Sequence, residues 1–454
     1  MRSARLILLS LLLAAPLAAS AAGDRFDEAL PAGGAGSGSA LRAERSPYRG
    51  QGMRYDYLPV NLFLGERAYV NSDRVGLKWD LDAARRVDVF LAHRFEGTPL
   101  DVVPPLLAGM ALREQGTDLG IGYRQRAAAG TLSAEFLRNV NDASAGNELR
   151  LRYELEHQRG LLRLWPQATL AWRDAKLNDY YYGVRAAEAT AARPAYEAGA
   201  GLNLQLALYA TYPLSTHWQL LAGIAGTQWS STVRNSPIAA GGLQTAATVG
   251  LLYEHSPQPR DWAETRPLWV KLYYGNASEC DVAKIVRLVC TSSSTPEHSR
   301  IASIEIGRTL IERLNGWNID IAGYVGLLHH DEQGAQPNSW QVNAYFKSYW
   351  YGFPWRDLVK TRIGLGSGLS YAGRVPFIEA RNQARDNENS SKLLTYLDPT
   401  LDFSLGDLIR SRSLKNTFVG VGVSHRSGIF GLSRLLGNVD GGSNYIYTYV
   451  EFAL

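Results

Sequence analysis

Cysteine and methionine are scarce in this chain of 454 residues, with two and three copies respectively. Two cysteines rule out a disulfide-dense scaffold and cannot complete the four-ligand set of a structural zinc site. An excess of one charge is also missing, since a formal net charge of +4 gives no ground for a nucleic-acid partner. Beyond residue 19 no apolar run reaches the roughly 18 residues that a spanning helix needs. Mean hydropathy is slightly negative. No helical anchor or C-terminal sorting tail is therefore expected.

What is present points to an exported β protein. Arg2 and Arg5 precede an apolar run over residues 6–19, and small residues follow to Gly23, the layout of a secretory signal peptide over residues 1–22. Tyrosine (24), tryptophan (11) and glycine (44) are abundant, and short segments alternate apolar with polar residues, as in an outer-membrane barrel. A soluble periplasmic β-sandwich is the competing class. Cys280 and Cys290 share one loop-like segment and, in an oxidising compartment, are expected to form a disulfide.

Residues 23–53 are rich in Gly, Ala and Ser and read as a flexible periplasmic leader. Residues 54–255 carry enough alternating segments for ten to twelve strands. Residues 256–267, with Pro257, Pro259 and Pro267, read as a linker, which disfavours one large porin-like barrel. Eight strands are expected in residues 268–454, over 268–276, 301–314, 317–330, 340–353, 360–374, 393–405, 417–427 and 444–454. The expected fold is all-β, two antiparallel transmembrane barrels in tandem. Connections after the odd strands of the second half are the longer ones, so odd strands run outward and residue 427 lies toward the outer leaflet.

On the seventh of these strands, Val419, Val421, Val423, His425 and Ser427 share one face by parity. A base two residues from a hydroxyl lies about 7 Å away along the strand, near enough for the side chains to converge. Imidazole can take the proton that makes serine a nucleophile. The non-catalytic reading is a polar pair meeting lipid headgroups, where polar side chains cost little.

The first half resembles the MipA/OmpV family of outer-membrane barrels. The likeness rests on Arg54-Tyr55-Asp56-Tyr57-Leu58-Pro59, Tyr180-Tyr181-Tyr182-Gly183-Val184, Pro194-Ala195-Tyr196 and residues 209–218. It implies a barrel, a membrane and a possible partner among murein-remodelling enzymes. The second half is similar to PagL, the eight-stranded lipase that removes an ester-linked acyl chain from lipid A. That likeness rests on residues 363–371, on Val421-Gly422-Val423-Ser424-His425-Arg426-Ser427 and on a tyrosine-rich closing strand. It implies Ser427 as nucleophile and His425 as general base, acting on an outer-membrane lipid with no metal or organic cofactor.

The family carries a glutamate at the start of the last strand, where this chain has Asn444, so the orienting group is Asn444 or, if its loop folds back, Asp440. Gly428 is the expected oxyanion donor, with Gly431 second; the family has asparagine at the first of these. Arg374, Arg381 and Arg385, with Lys392, either contact lipid phosphates or are simply solvated. A non-enzymatic scaffold or adhesin with an inactive second barrel is the alternative function.

Overall fold

In the computed structural model the described residues are 34–454, apart from 98–102, 112, 141–142, 256–266, 387, 430 and 434–435. The expected signal peptide and nearly all of the expected linker lie outside them. The chain divides into two compact units at Arg260/Asp261.

The first unit contains β1 (Ala35–Arg45), β2 (Met53–Leu64), β3 (Ala68–Asn71), β4 (Arg74–Asp80), β5 (Arg85–Arg94), β6 (Gly116–Ala127), β7 (Gly130–Asn139), β8 (Asn147–Glu154), β9 (His157–Arg159), β10 (Leu162–Arg173), β11 (Gly201–Pro213), β12 (Trp218–Gln228) and β13 (Leu243–Glu254). These thirteen strands form one sheet that closes through β10 and β11, and β9 continues the line of β8 along β10, so twelve strands ring the wall. The leader expected over residues 23–53 lies outside the described residues up to 33 and is corrected from Ala35 on, because β1 pairs β2 on one side and β13 on the other. Its small residues are required by close packing: a Cβ on Gly38 would lie 2.0 Å from the Leu251 carbonyl oxygen.

Charged side chains at lumen parity pair across this barrel. Arg94 meets Asp118 at 2.5 Å and Glu148 at 2.6 Å, and Arg173 meets Glu96 at 2.7 Å. Over the end bearing the longer connections lies an apolar plug that includes Tyr48, Leu177, Tyr181, Tyr182, Val184 and Trp229. The tyrosine run quoted above therefore closes a mouth. Val184 and Tyr196 form an isolated bridge within the same connection.

The second unit is a closed eight-stranded antiparallel barrel: β14 (Leu268–Ser278), β15 (Arg300–Ile311), β16 (Ile319–Asp331), β17 (Ser339–Trp350), β18 (Thr361–Ala372), β19 (Leu393–Ser404), β20 (Thr417–Ser427) and β21 (Gly442–Ala453). Ile304, Ile306, Val325, Leu365 and Val421 face outward and are exposed, as a lipid-facing belt requires. The opposite parity fills the lumen. Asp398 is held by Lys271 at 2.9 Å and by Lys347 and Tyr447, while Arg362 joins Asp402 at 2.8 Å and Glu451. Burying such charges is tolerable only because each is paired. Glu451 points inward and accepts from the Tyr324 hydroxyl at 2.6 Å.

Candidate functional site

β20 pairs β21 with His425 opposite Asn444 and Ser427 opposite Gly442. Strand alternation then separates two environments. Ser424 and Arg426 are buried on the lumen side, and Val421, His425 and Ser427 lie on the outer wall. His425 Nδ1 lies 2.7 Å from Asn444 Oδ1. An amide oxygen only accepts, so Nδ1 carries the proton and Nε2 presents its lone pair. Asp440 is exposed, and among the described residues it makes no hydrogen bond to His425.

The Ser427 carbonyl accepts from the Thr395 hydroxyl at 2.6 Å, and the Ser427 Oγ accepts from the Ile429 N–H at 3.3 Å. Among the described residues no hydrogen bond joins Ser427 to His425, and catalytic contacts of this kind commonly tighten only with substrate in place. Ile429 holds φ 56°, a left-handed conformation that is costly for a β-branched residue.

One expectation is corrected. The Gly428 N–H donates to the Gly441 carbonyl at 3.1 Å and the Gly431 N–H to Val439 at 2.9 Å, so neither is free for an oxyanion. The β20–β21 hairpin simply continues past Ser427. Arg381 is engaged by Glu297 at 2.8 Å and Glu279 at 2.5 Å, and Arg385 by Asp386 at 2.9 Å. Of the three arginines, Arg374 is exposed with no ion pair among the described residues.

The lumen side of the site was not read from sequence. The helix Phe377–Asp386, in the connection between β18 and β19, places Ile378 in a buried cluster with Tyr273, Tyr445 and Tyr447. Its Glu379 accepts from Arg426 Nε at 3.0 Å and from the Ser443 hydroxyl at 3.1 Å. Arg426 also donates to the Ser370 hydroxyl at 2.6 Å. One carboxylate thus grips β20 and β21 at the register of His425 and Asn444. The available signal was Arg426 itself, since a lumen-parity arginine between two outward polar residues requires a buried acid.

Cys280 and Cys290 are joined as a disulfide. The segment they staple contains the short helix Val282–Val286, which lies against the outer wall: Cys280 and Ile285 cluster with Val423, and Val282, Cys290 and Ile446 pack around them. His330 bonds Gln341 at 2.9 Å inside the barrel, and His329 stacks edge-on against Trp340.

Residues 37–255 match the family model of MltA-interacting protein MipA. The first barrel is therefore similar to the MipA family over nearly its whole length. Outer membrane protein Omp26La of Vibrio anguillarum is 32% identical over 130 residues, covering 29% of this chain and 51% of that protein. OmpV of Vibrio cholerae is 31% identical over the same length and coverage. Putative outer membrane protein YiaT of Escherichia coli K12 is 25% identical over 209 residues, 45% of this chain and 82% of that one. The chain spans about half the length of the two Vibrio relatives. Among solved structures the copper transporter OprC aligns at 10% identity over 95% of this chain and 82% of its own, with a TM-score of 0.25, too low to carry an argument. With the two barrels, these relatives place the chain in the outer membrane.

Proposed function

We propose that the second barrel is a PagL-like serine esterase that removes an ester-linked acyl chain from lipid A. The observation that carries this reading is the 2.7 Å contact of His425 Nδ1 with Asn444 Oδ1 on a surface that faces lipid, two residues from Ser427. A polar constellation costs free energy at such a position unless it is used. Ser427 Oγ attacks the ester carbonyl as His425 Nε2 takes its proton. The imidazolium, steadied by Asn444, returns that proton to the departing sugar oxygen, leaving an acyl-serine. Water then attacks with His425 again as base, releasing the fatty acid and restoring Ser427. Mass spectrometry of lipid A from cells expressing the chain tests this: acyl loss requires both Ser427 and His425, and unchanged lipid A with a folded barrel removes the proposal.

A second reading is favoured by the first barrel, which is similar to the MipA family and has a plugged, ion-paired lumen. Here the chain is a non-enzymatic scaffold whose first half binds a murein-remodelling enzyme. Co-purification of the folded chain with periplasmic extract tests it, and absence of any murein enzyme in the eluate counts against it.

A further inference from the structure

The stapled segment does not cross a barrel mouth. Val423 and Ile446, the wall residues under Ile285, lie two residues from His425 and Asn444 on the side toward the membrane interior, about 7 Å away along the strand and about 5 Å deeper at the tilt of a barrel strand. The segment therefore descends beside the site against a surface that otherwise meets hydrocarbon.

Its far side is apolar and open. Val286 is 58% exposed, Leu288 80% and Val289 75%. Its backbone is also suited to a dry medium, in which polar groups must find partners within the protein. The N–H groups of Lys284 and Ile285 donate to Asp281, Arg287 to Ala283, Leu288 to Ile285, and Val289 and Cys290 to Lys284. The charged side chains have escape routes: Lys284 pairs with Asp281 at 2.8 Å, and Arg287 is exposed on a long stem that can reach the headgroup layer. The base of the segment is fixed to the Phe377–Asp386 helix through Arg381 with Glu279 and Glu297.

We propose that residues 280–290 form a membrane-embedded arm, with Val286, Leu288 and Val289 in contact with the acyl chains of outer-leaflet lipid. The occupant is lipid because the arm is continuous with the lipid-facing wall and six of its N–H groups donate within the arm itself. In the deacylase reading, on which this last step alone rests, the arm is one side of the cleft that receives the scissile chain at His425.

The test is site-specific photo-crosslinking in intact outer membranes, with a benzophenone amino acid replacing Leu288 or Val289 and, as reference, Gln333, which is exposed on the connection between β16 and β17. Lipid or lipopolysaccharide adducts are expected at Leu288 and Val289 and absent at Gln333. A protein adduct in place of lipid, or a yield at Leu288 no greater than at Gln333, overturns the proposal. The crosslink needs no catalysis. A chain that deacylates lipid A without lipid adducts at Leu288 therefore sinks the arm alone, and one that crosslinks without deacylating sinks the enzyme alone.

Discussion

The two barrels solve the same packing problem and differ in what they show to the membrane. In both, charged residues at lumen parity pair across the interior, through Arg94 with Asp118 and Glu148 in one and Lys271 and Lys347 with Asp398 in the other. In both, a connection closes a mouth, by the apolar cluster around Tyr181 and Tyr182 or by a helix carrying Glu379. Among the described residues only the second adds an outward His-Asn contact and a stapled arm on its outer wall. Both lumens hold paired, buried charges, so what sets the second barrel apart lies on its outer wall.

The sharpest way to break this contrast is chemical. Ser427→Ala and His425→Ala should each lower the rate of acyl removal by roughly 10⁴-fold, with Asn444→Ala smaller at roughly 10²-fold, because orientation is lost while base and nucleophile remain. Time-resolved mass spectrometry of lipid A reads all three. Equal rates in Ser427→Ala and the native chain would return the second barrel to the same passive class as the first.

Next in size is a test of the shared interior. Asp398→Ala leaves Lys271 and Lys347 buried without their common carboxylate, at a cost of about 3–5 kcal/mol. Thermal unfolding in detergent, followed by the shift between folded and unfolded bands on a gel, should report it in the second barrel only. An unchanged transition would mean that the ion pairs do not hold that lumen.

Glu379→Gln separates support from chemistry. Weakening the bonds to Arg426 and Ser443 should cost about 1.5–3 kcal/mol. Because these groups fix β20 and β21 beside His425, kcat for acyl removal should fall by up to roughly 10²-fold with KM unchanged. Glu379→Asp should recover part of the rate. A loss of stability with full activity would make Glu379 structural only.

Much of this architecture was legible because alternation has one meaning in a barrel wall. The bounds of β20 (Thr417–Ser427) and the eight strands after residue 267 follow from period-two patterning, as does the inward turn of Glu451. β1 was hidden because Gly36, Ser37, Gly38 and Ser39 carry no apolar alternation, although Gly38 is demanded by its approach to Leu251. β3 spans only Ala68–Asn71, too short for a period to show. The spent N–H of Gly428 depends on where the hairpin ends, and the arm on contacts between residues 280–290 and β20, which no local pattern encodes. Parity placed the site's side chains, whereas their supports are tertiary.

The smallest expected effect sharpens the comparison from the other side, at the plug of the first barrel. Glu188, outside the strands, accepts from Arg113 at 2.7 Å and from the Ala111 and Arg185 N–H groups at 2.9 and 3.1 Å. Burial works against its charge, yet these bonds hold its carboxyl below the ordinary 4.5, at about 2. A depressed carboxylate stabilises the fold above its unfolded value and loses that contribution as pH falls through the folded one. The latch should therefore stay closed from neutral pH to below 4.5 and open only as pH approaches 2. Glu188→Gln should cost about 1–3 kcal/mol locally, because Arg113 is left buried against a neutral partner. Faster amide exchange around Gly183, whose carbonyl also accepts from Arg113, would show it, while acyl removal at Ser427 stays at the native rate. If that rate moved as well, the two barrels would not be the independent devices that their separate cores describe.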